Sequence, residues 1–299
     1  MKSKSIGGSV ILVVMCFAAM GAMLVAVLMF ASGSAMKRAR QEYRFERAFF
    51  IAEAGLERAK LSIATNLLND AGDYESGIDR GQRLGPDRAV AKGWLSARQV
   101  KRAGLGCLLL AFALGMYLAW IGGWPIVILG LVALFCGWAY TMGPAPISHG
   151  PLGEVFVWVF FGLAAVLGSY YLQTGTLSRQ IWILGHMMGA FASAVMLVNN
   201  TRDAASDALA GKDTLSVRIG LTASRMIYAA MLAVPYLLAA SQARNWVHAL
   251  PHLTLPLALV LAWRMATWEP SRRHNWLLAR TAHLQLAFTV LWVLALMLD

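Results

Sequence analysis

Apolar residues run along this chain in blocks of about twenty, separated by short polar turns, and one long charged stretch interrupts the rhythm. Blocks of roughly 17–25 apolar residues match the hydrocarbon thickness of a bilayer when wound as helix. The pattern predicts spans at 10–32, 103–121, 124–142, 152–172, 181–198, 227–240, 247–268 and 279–298. Helix is the backbone these blocks require, because unpaired N–H and C=O groups in lipid are prohibitively costly. The block at 227–240 is short and draws on residues 221–226. The expected fold class is all-α, a polytopic transmembrane helical bundle of about eight spans without a soluble domain. Between the first two blocks, residues 37–60 are too charged to cross. There Phe45, Phe49, Ala52, Leu56, Ala59 and Ile63 recur at three- and four-residue steps, which predicts an amphipathic helix.

Composition agrees with the pattern. Of 299 residues 59% are hydrophobic and 14% charged, whereas a soluble domain carries about a quarter charged residues. A net charge of +11 raises nucleic acid as a partner. The basic residues, however, lie in the turns between apolar blocks, where they meet lipid headgroups or an anionic substrate. No nucleic acid is expected, and oligomeric state is not legible. Cys16, Cys107 and Cys136 all lie in apolar runs with no ligand-like spacing, which excludes a disulfide framework and a zinc site.

The basic residues also orient the bundle. Arg80, Arg83, Arg88, Lys92, Arg98, Lys101 and Arg102 crowd one connection, and Arg202, Lys212, Arg218 and Arg225 another. Arg272, Arg273 and Arg280 mark a third, while the alternate connections hold only Arg179 and Arg244. By the positive-inside rule the basic connections face the cytoplasm. Acidic side chains are costly near hydrocarbon and are retained where they have a task. Two such stretches fall on that cytoplasmic face. One is Asn69-Asp70-Ala71-Gly72-Asp73 with Asp79 beyond it; the other is Asn199-Asn200-Thr201-Arg202-Asp203 with Asp207. Asn69/Asp73 and Asp203/Asp207 are each four apart, a spacing that stacks both groups on one helix face. Hard oxygen donors of this kind suit Mg²⁺. Lys212 and Arg218 supply positive charge for phosphate oxygens. Together they form a set able to bind and polarise a diphosphate leaving group.

The residues from Asn199 to Gly220, reading Asn-Asn-x-Arg-Asp-x-x-x-Asp-x-x-x-Gly-Lys-x-Thr-Leu-x-Val-Arg-x-Gly, resemble the second aspartate motif of the 1,4-dihydroxy-2-naphthoate polyprenyltransferases. These belong to the UbiA-type intramembrane prenyltransferases. Asn66 to Asp73, followed by Gly77, Asp79, Arg83, Gly85 and Pro86, resembles the first motif. Tyr140 to Pro144, Gly150 to Glu154 and Val159 to Gly162 are also similar. The resemblance implies Mg²⁺ held by Asn69, Asp70, Asp73, Asp79, Asn200, Asp203 and Asp207, against the diphosphate of a polyprenyl donor. It implies prenyl transfer to 1,4-dihydroxy-2-naphthoate with decarboxylation, giving a demethylmenaquinone, in a bacterial inner membrane. Asp73, Asp203, Asp207 and Tyr140 are the catalytic candidates, and Arg83, Lys212 and Arg218, with Arg202 in addition, are the diphosphate contacts that the resemblance implies. Tyr140 either stabilises the allylic cation or is an interfacial aromatic. Glu154 reads equally as a helix N-terminal charge or a pocket residue, and His186 as a hydrogen-bonded interior histidine.

Residues 1–65 depart from the family, whose members have nine transmembrane helices with two before the first motif. Lys2, Lys4 and the run Gly7 to Met15, with Ala48 to Glu57, resemble the start of a PilX-type pilin-like protein. The domains expected are therefore 1–65, an atypical N-terminal segment, and 66–299, the prenyltransferase. Either a fused or misassembled reading frame joins the two near residues 65–69, or one unusual helix substitutes for two. The competing functions are a pilin-like assembly protein with an inactive bundle, an enzyme for another aromatic acceptor, and a cation transporter. The transporter is disfavoured because the carboxylates lie at span ends beside Lys and Arg.

Overall fold

The computed structural model describes residues 67, 71, 74, 75, 84, 89–141 and 146–298. Seven helices organise it: α1 Ala97–Gly122, α2 Trp124–Thr141, α3 Gly153–Thr174, α4 Arg179–Leu209, α5 Leu215–Ser241, α6 Leu255–Thr267 and α7 His274–Leu298. A 3₁₀ segment, Trp246–Thr254, runs into α6. No strand occurs among the described residues, so the all-α expectation holds. Seven of the eight expected spans fall on described residues and each is helical there. Six helices are long and apolar enough, by length and composition, to cross a membrane. The apolar part of α2, Trp124–Gly137, is shorter, so the described residues support six full spans plus this shorter helix. The span at 10–32 and the amphipathic segment at 37–60 lie outside the described residues.

Local chemistry sets the helix ends. Ser96 precedes α1; its Oγ accepts from Gln99 N at 3.2 Å while Gln99 Oε1 accepts from Ser96 N at 2.8 Å. This reciprocal pair satisfies donors that a helix N-terminus otherwise leaves open. Helix α5 is longer than the apolar block at 227–240 suggests, because Thr214 and the polar residues after it already start the helix. A break follows at Gly220, whose φ of 77° and ψ of 173° are costly for a residue with a Cβ. The Val-Arg-x-Gly end of the second motif is thus a short helix, a kink and then the span. Ser224 Oγ donates to the Gly220 carbonyl at 2.8 Å, one turn beyond the kink.

Helix α4 is the central element and packs against α3, α5 and α7. It buries Ile181, Leu184, Met187, Met188, Phe191, Ala194, Leu197 and Val198 on one broad face and Gly185, Gly189, Ala192 and Ser193 on the other, so buried residues surround it. A helix apolar on nearly every side belongs in the middle of a bundle. Phe191 meets Phe288 of α7 edge-on at 5.2 Å, and Phe288 meets Tyr236 of α5 at 5.3 Å, closing the core. The α3–α4 contact is closer than side chains normally permit. A Cβ placed on Gly162 would lie 2.4 Å from the Gly189 Cα and 2.6 Å from the Gly185 carbonyl oxygen. Gly162 falls in a π-helical stretch of α3, Trp158–Ala164, and faces the Gly185-x-x-x-Gly189 stripe of α4. Small residues allow two backbones to approach where hydrocarbon offers no hydrophobic drive.

The outside of the bundle fits lipid. Leu109, Met116, Leu131, Phe135, Leu237 and Leu259 are all more than half exposed. Trp120, Trp124 and Trp246 are exposed beside the turns at one end, and Trp263 and Trp276 at the other. Such paired belts mark the two interfaces of a multi-pass membrane protein.

Candidate functional site

One end of the bundle gathers the polar residues that the apolar blocks exclude. The end of α2, the starts of α3, α5 and α7, and the end of α4 meet there. Asp213 N donates to the His149 carbonyl at 2.7 Å, which ties the α4–α5 turn to the loop before α3. Thr201 Oγ1 and Ser216 Oγ lie 3.1 Å apart and tie α4 to α5. These contacts are the physical reason a basic, polar face exists at this end.

Helix α4 continues past its apolar block through residue 209, so Asp203 and Asp207 ride on its final turns. Residues 200, 203 and 207 form one stripe at 100° per residue. Asp203 and Asp207 are partly buried, with 14% and 13% of their side chains exposed. Lys212 turns back toward them, its Nζ 3.8 Å from Asp207 Oδ1 and its backbone N donating to the Asp207 carbonyl at 2.9 Å. Arg218 pairs with Asp213 in the exposed turn beside them. The Arg218 hydrogen bond holds the Asp213 carboxyl below its ordinary range. That pairing therefore supports the fold above the ordinary carboxylate pKa and is lost as pH falls through the lowered value.

Arg202 departs from the sequence expectation. It was expected on the diphosphate, yet its side chain is fully buried and spent on the protein. Its Nε and Nη2 donate to the two oxygens of Asp203 at 2.8 and 2.5 Å. Nη2 also donates to Asn199 Oδ1 at 2.8 Å, and Nη1 to Asn275 Oδ1 at 2.6 Å. A guanidinium has five N–H donors in a fixed fork, and this one is committed to holding Asp203 in place. Arg202→Lys keeps the charge but loses the fork. Turnover should fall about tenfold to a hundredfold, the worth of a charge-assisted hydrogen bond, while thermal unfolding in detergent shows the protein still folded.

Asn275 had no signal in the sequence. It accepts from Arg202 and donates through Nδ2 to the Leu84 carbonyl at 3.2 Å. Leu84 directly follows Arg83 in the chain, so the start of α7 links the second acidic stretch to the end of the first. Of that first stretch, Asn69, Asp70, Asp73, Asp79 and Arg83 lie outside the described residues. Leu67, Ala71, Tyr74 and Glu75 around them are helical, and Ala71 is buried against Val90 and Val100.

Glu154 resolves as a buried residue, only 2% exposed at the first turn of α3. Asn200, expected among the metal ligands, donates its amide nitrogen to Glu154 Oε1 at 2.9 Å. Ser193 Oγ donates to the Glu154 carbonyl at 2.7 Å and fixes the same turn on α4. Tyr140 is partly buried next to this pair. A Cβ added to Gly153 would sit 3.9 Å from its hydroxyl, 3.9 Å from the Asn200 amide and 3.8 Å from the Met196 methyl. Glycine therefore leaves room between α2, α3 and α4 at this point. His186 is hydrogen bonded as expected, accepting from Trp158 Nε1 at 3.1 Å, but it is exposed on the outer face of α4 rather than interior.

The donor set suits Mg²⁺ bound together with a phosphorylated ligand. Among the described residues no group of three or more His, Cys, Asp or Glu side chains is placed to hold a metal unaided. Magnesium is commonly held by one or two carboxylates plus substrate phosphates, and Asp203 and Asp207 with Lys212 beside them provide that arrangement.

Comparison with known proteins agrees with this geometry. The model of the UbiA prenyltransferase family matches residues 28–291. That match begins upstream of the expected junction near residues 65–69. A 1,4-dihydroxy-2-naphthoate octaprenyltransferase from Haemophilus influenzae is 33% identical over 249 residues, covering 80% of each chain. Its Escherichia coli counterpart is 36% identical over 178 residues, 58% of each chain. The apo structure of a UbiA homolog from Aeropyrum pernix K1 superposes with a TM-score of 0.64 at 15% identity, covering 95% of this chain and 97% of that one. A UbiA homolog from Archaeoglobus fulgidus bound to DMAPP and Mg²⁺ gives 0.61 at 14% identity, covering 97% and 99%. With the family matched over most of its length and the fold shared, the chain belongs to the UbiA prenyltransferase family.

Proposed function

We propose that this protein transfers a polyprenyl group from polyprenyl diphosphate to 1,4-dihydroxy-2-naphthoate, with Mg²⁺ and with loss of the carboxylate, to give a demethylmenaquinol, the reduced form of a demethylmenaquinone. The observation that carries this reading is the Asp203/Asp207 stripe with Lys212 at the polar end of the bundle. The names of the Haemophilus influenzae and Escherichia coli relatives supply the acceptor. The ligands of the Archaeoglobus fulgidus homolog supply the donor class and the metal.

Asp203 and Asp207, with Asn69, Asp70, Asp73 and Asp79 of the first stretch, would hold Mg²⁺, and the bound metal would neutralise diphosphate oxygens and ease their departure. Lys212, Arg218 and Arg83 add positive charge for the same oxygens. Arg202 acts one step back, by orienting Asp203. Tyr140 presents its ring close to where the allylic carbon becomes cationic, and an aromatic face attracts such charge. The acceptor ring attacks that carbon, the C–O bond to diphosphate breaks, and the carboxylate leaves from the prenylated ring as carbon dioxide.

The polar end lies on the cytoplasmic side of a bacterial inner membrane, because the basic connections cluster there. Residues 66–299 carry the catalytic domain, and the family match takes in residues 28–65 as well. The test is product analysis by mass spectrometry. Membranes containing the protein, given a polyprenyl diphosphate, Mg²⁺ and either 1,4-dihydroxy-2-naphthoate or 4-hydroxybenzoate, should yield the prenylated, decarboxylated naphthohydroquinone, together with the quinone formed from it in air, from the first acceptor only. Prenylated hydroxybenzoate as the main product would overturn the choice of acceptor.

A further inference from the structure

A carboxylate deep in an apolar bundle is expensive unless its oxygens are hydrogen bonded. Glu154 meets that requirement by half. Oε1 accepts from Asn200, whereas Oε2 is buried and has no hydrogen-bond partner among the described residues. Buried oxygens without partners are rare enough in native folds that each calls for an explanation. The side chain is not a product of loose packing, since Ser193 pins its backbone and Asn200 its other oxygen. A built carboxylate with one oxygen held and the other unpartnered is an acceptor that still lacks a donor.

Its surroundings indicate the donor. Tyr140, Met196 and the bare Cα of Gly153 lie together beside it. An aromatic face and a polarisable thioether suit a flat ring, and a Cβ on Gly153 would reach both only at ordinary contact distance. Asn200 stands three residues before Asp203 on α4, a rise of about 4.5 Å. The Glu154 carboxylate is therefore about one helical turn deeper in the bundle than Asp203 and about two turns deeper than Asp207. Reacting atoms must approach to about 3–3.5 Å, so the acceptor ring has to lie within reach of this level.

We propose that Glu154 is an acceptor-binding residue: its open Oε2 takes a hydrogen bond from a ring hydroxyl of the aromatic acceptor, with Asn200 holding the carboxylate in place and Tyr140 and Met196 flanking the ring. The assignment rests on the transfer reaction proposed above. It concerns binding and orientation, and no proton transfer is assigned to Glu154. A merely structural Glu154 would affect both substrates alike, whereas an acceptor-binding one separates them.

The experiment measures steady-state KM for acceptor and donor in membranes, for the full chain and for Glu154→Gln. It uses 1,4-dihydroxy-2-naphthoate and each of its two monomethyl ethers. In the unaltered protein one ether should show a KM at least about tenfold above the parent acceptor, the worth of one hydrogen bond to a charged group. Glu154→Gln should raise the parent KM by a similar factor, leave the donor KM unchanged and lose the ether penalty. Equal KM values for the parent and both ethers in the unaltered protein overturn the assignment even if the variant fails to fold. So does an ether penalty that persists undiminished in Glu154→Gln. If the unaltered protein prenylates no naphthoate at all, the reaction reading falls and this assignment falls with it; normal turnover without discrimination sinks the assignment alone.

Discussion

Asp203→Ala should reduce prenyl transfer by on the order of a thousandfold, since Lewis-acid stabilisation of a leaving group is worth several kcal/mol and each 1.36 kcal/mol is a factor of ten. Two effects combine at this one position. The metal–diphosphate site loses a hard oxygen ligand, and Arg202 loses the carboxylate that binds two arms of its fork. The guanidinium would then be buried with only Asn199 and Asn275 as partners, a poorly compensated charge that destabilises the end of α4. Asp203→Asn separates the effects, because the amide retains an oxygen for Arg202 while surrendering the negative charge. It should be nearly as inactive as the alanine variant yet closer to the parent in thermal unfolding. Radiolabelled product formation and unfolding in detergent, measured on the same preparations, check both statements.

Gly162→Leu should yield no folded protein at all. A Cβ at that position would fall within 2.4 to 2.6 Å of three backbone atoms of α4, at Gly189 and Gly185. Backbone in the middle of a central helix cannot give way as the end of a flexible side chain can. A single extra methyl group in a packed interior costs about 1–3 kcal/mol, and leucine adds three more carbons where α3 and α4 touch. The total approaches the whole stability of an ordinary domain, about 5–15 kcal/mol. Gly162→Ala is expected to fold with a clearly lowered unfolding temperature. Gly130→Ala is the control: nothing lies within 4 Å of a Cβ there, and alanine favours helix by about 1 kcal/mol. Size-exclusion profiles of the three variants should rank Gly130→Ala, Gly162→Ala, Gly162→Leu from most to least monodisperse.

These two effects differ in how far the sequence announced them. The aspartates stand out because acidic residues at i and i+4 beside an apolar span have few innocent explanations, and a helix carries that spacing onto one face whatever it packs against. The apolar blocks were legible for the same reason: the bilayer sets their length, and the backbone has one way to satisfy itself there. Gly185-x-x-x-Gly189 is visible in the chain, but its meaning depends on Gly162 and a π-helical stretch that no local periodicity reveals. Arg202 was misread because Asp203 is its immediate neighbour in sequence. Which way its guanidinium turns is decided by Asn275, on a helix far along the chain. Glu154 was left between two roles, since the depth of a side chain at a helix start depends on what the next helices place over it. His186 was placed inside because its neighbours are apolar, although lipid-facing and core-facing residues share that composition. Local spacing thus reveals groups that act through one helix, and conceals those that act between helices.

The central claim is that acidic side chains at the polar end of this bundle hold a metal–diphosphate complex. Prenyl transfer measured in membranes depleted of divalent metal by EDTA and then titrated with Mg²⁺ tests it most directly. No product should form after depletion, activity should recover fully on adding Mg²⁺, and Asp203→Ala should not recover at any concentration. Turnover that is unaffected by depletion, or an Asp203→Ala variant restored to the level of the unaltered protein, would contradict it.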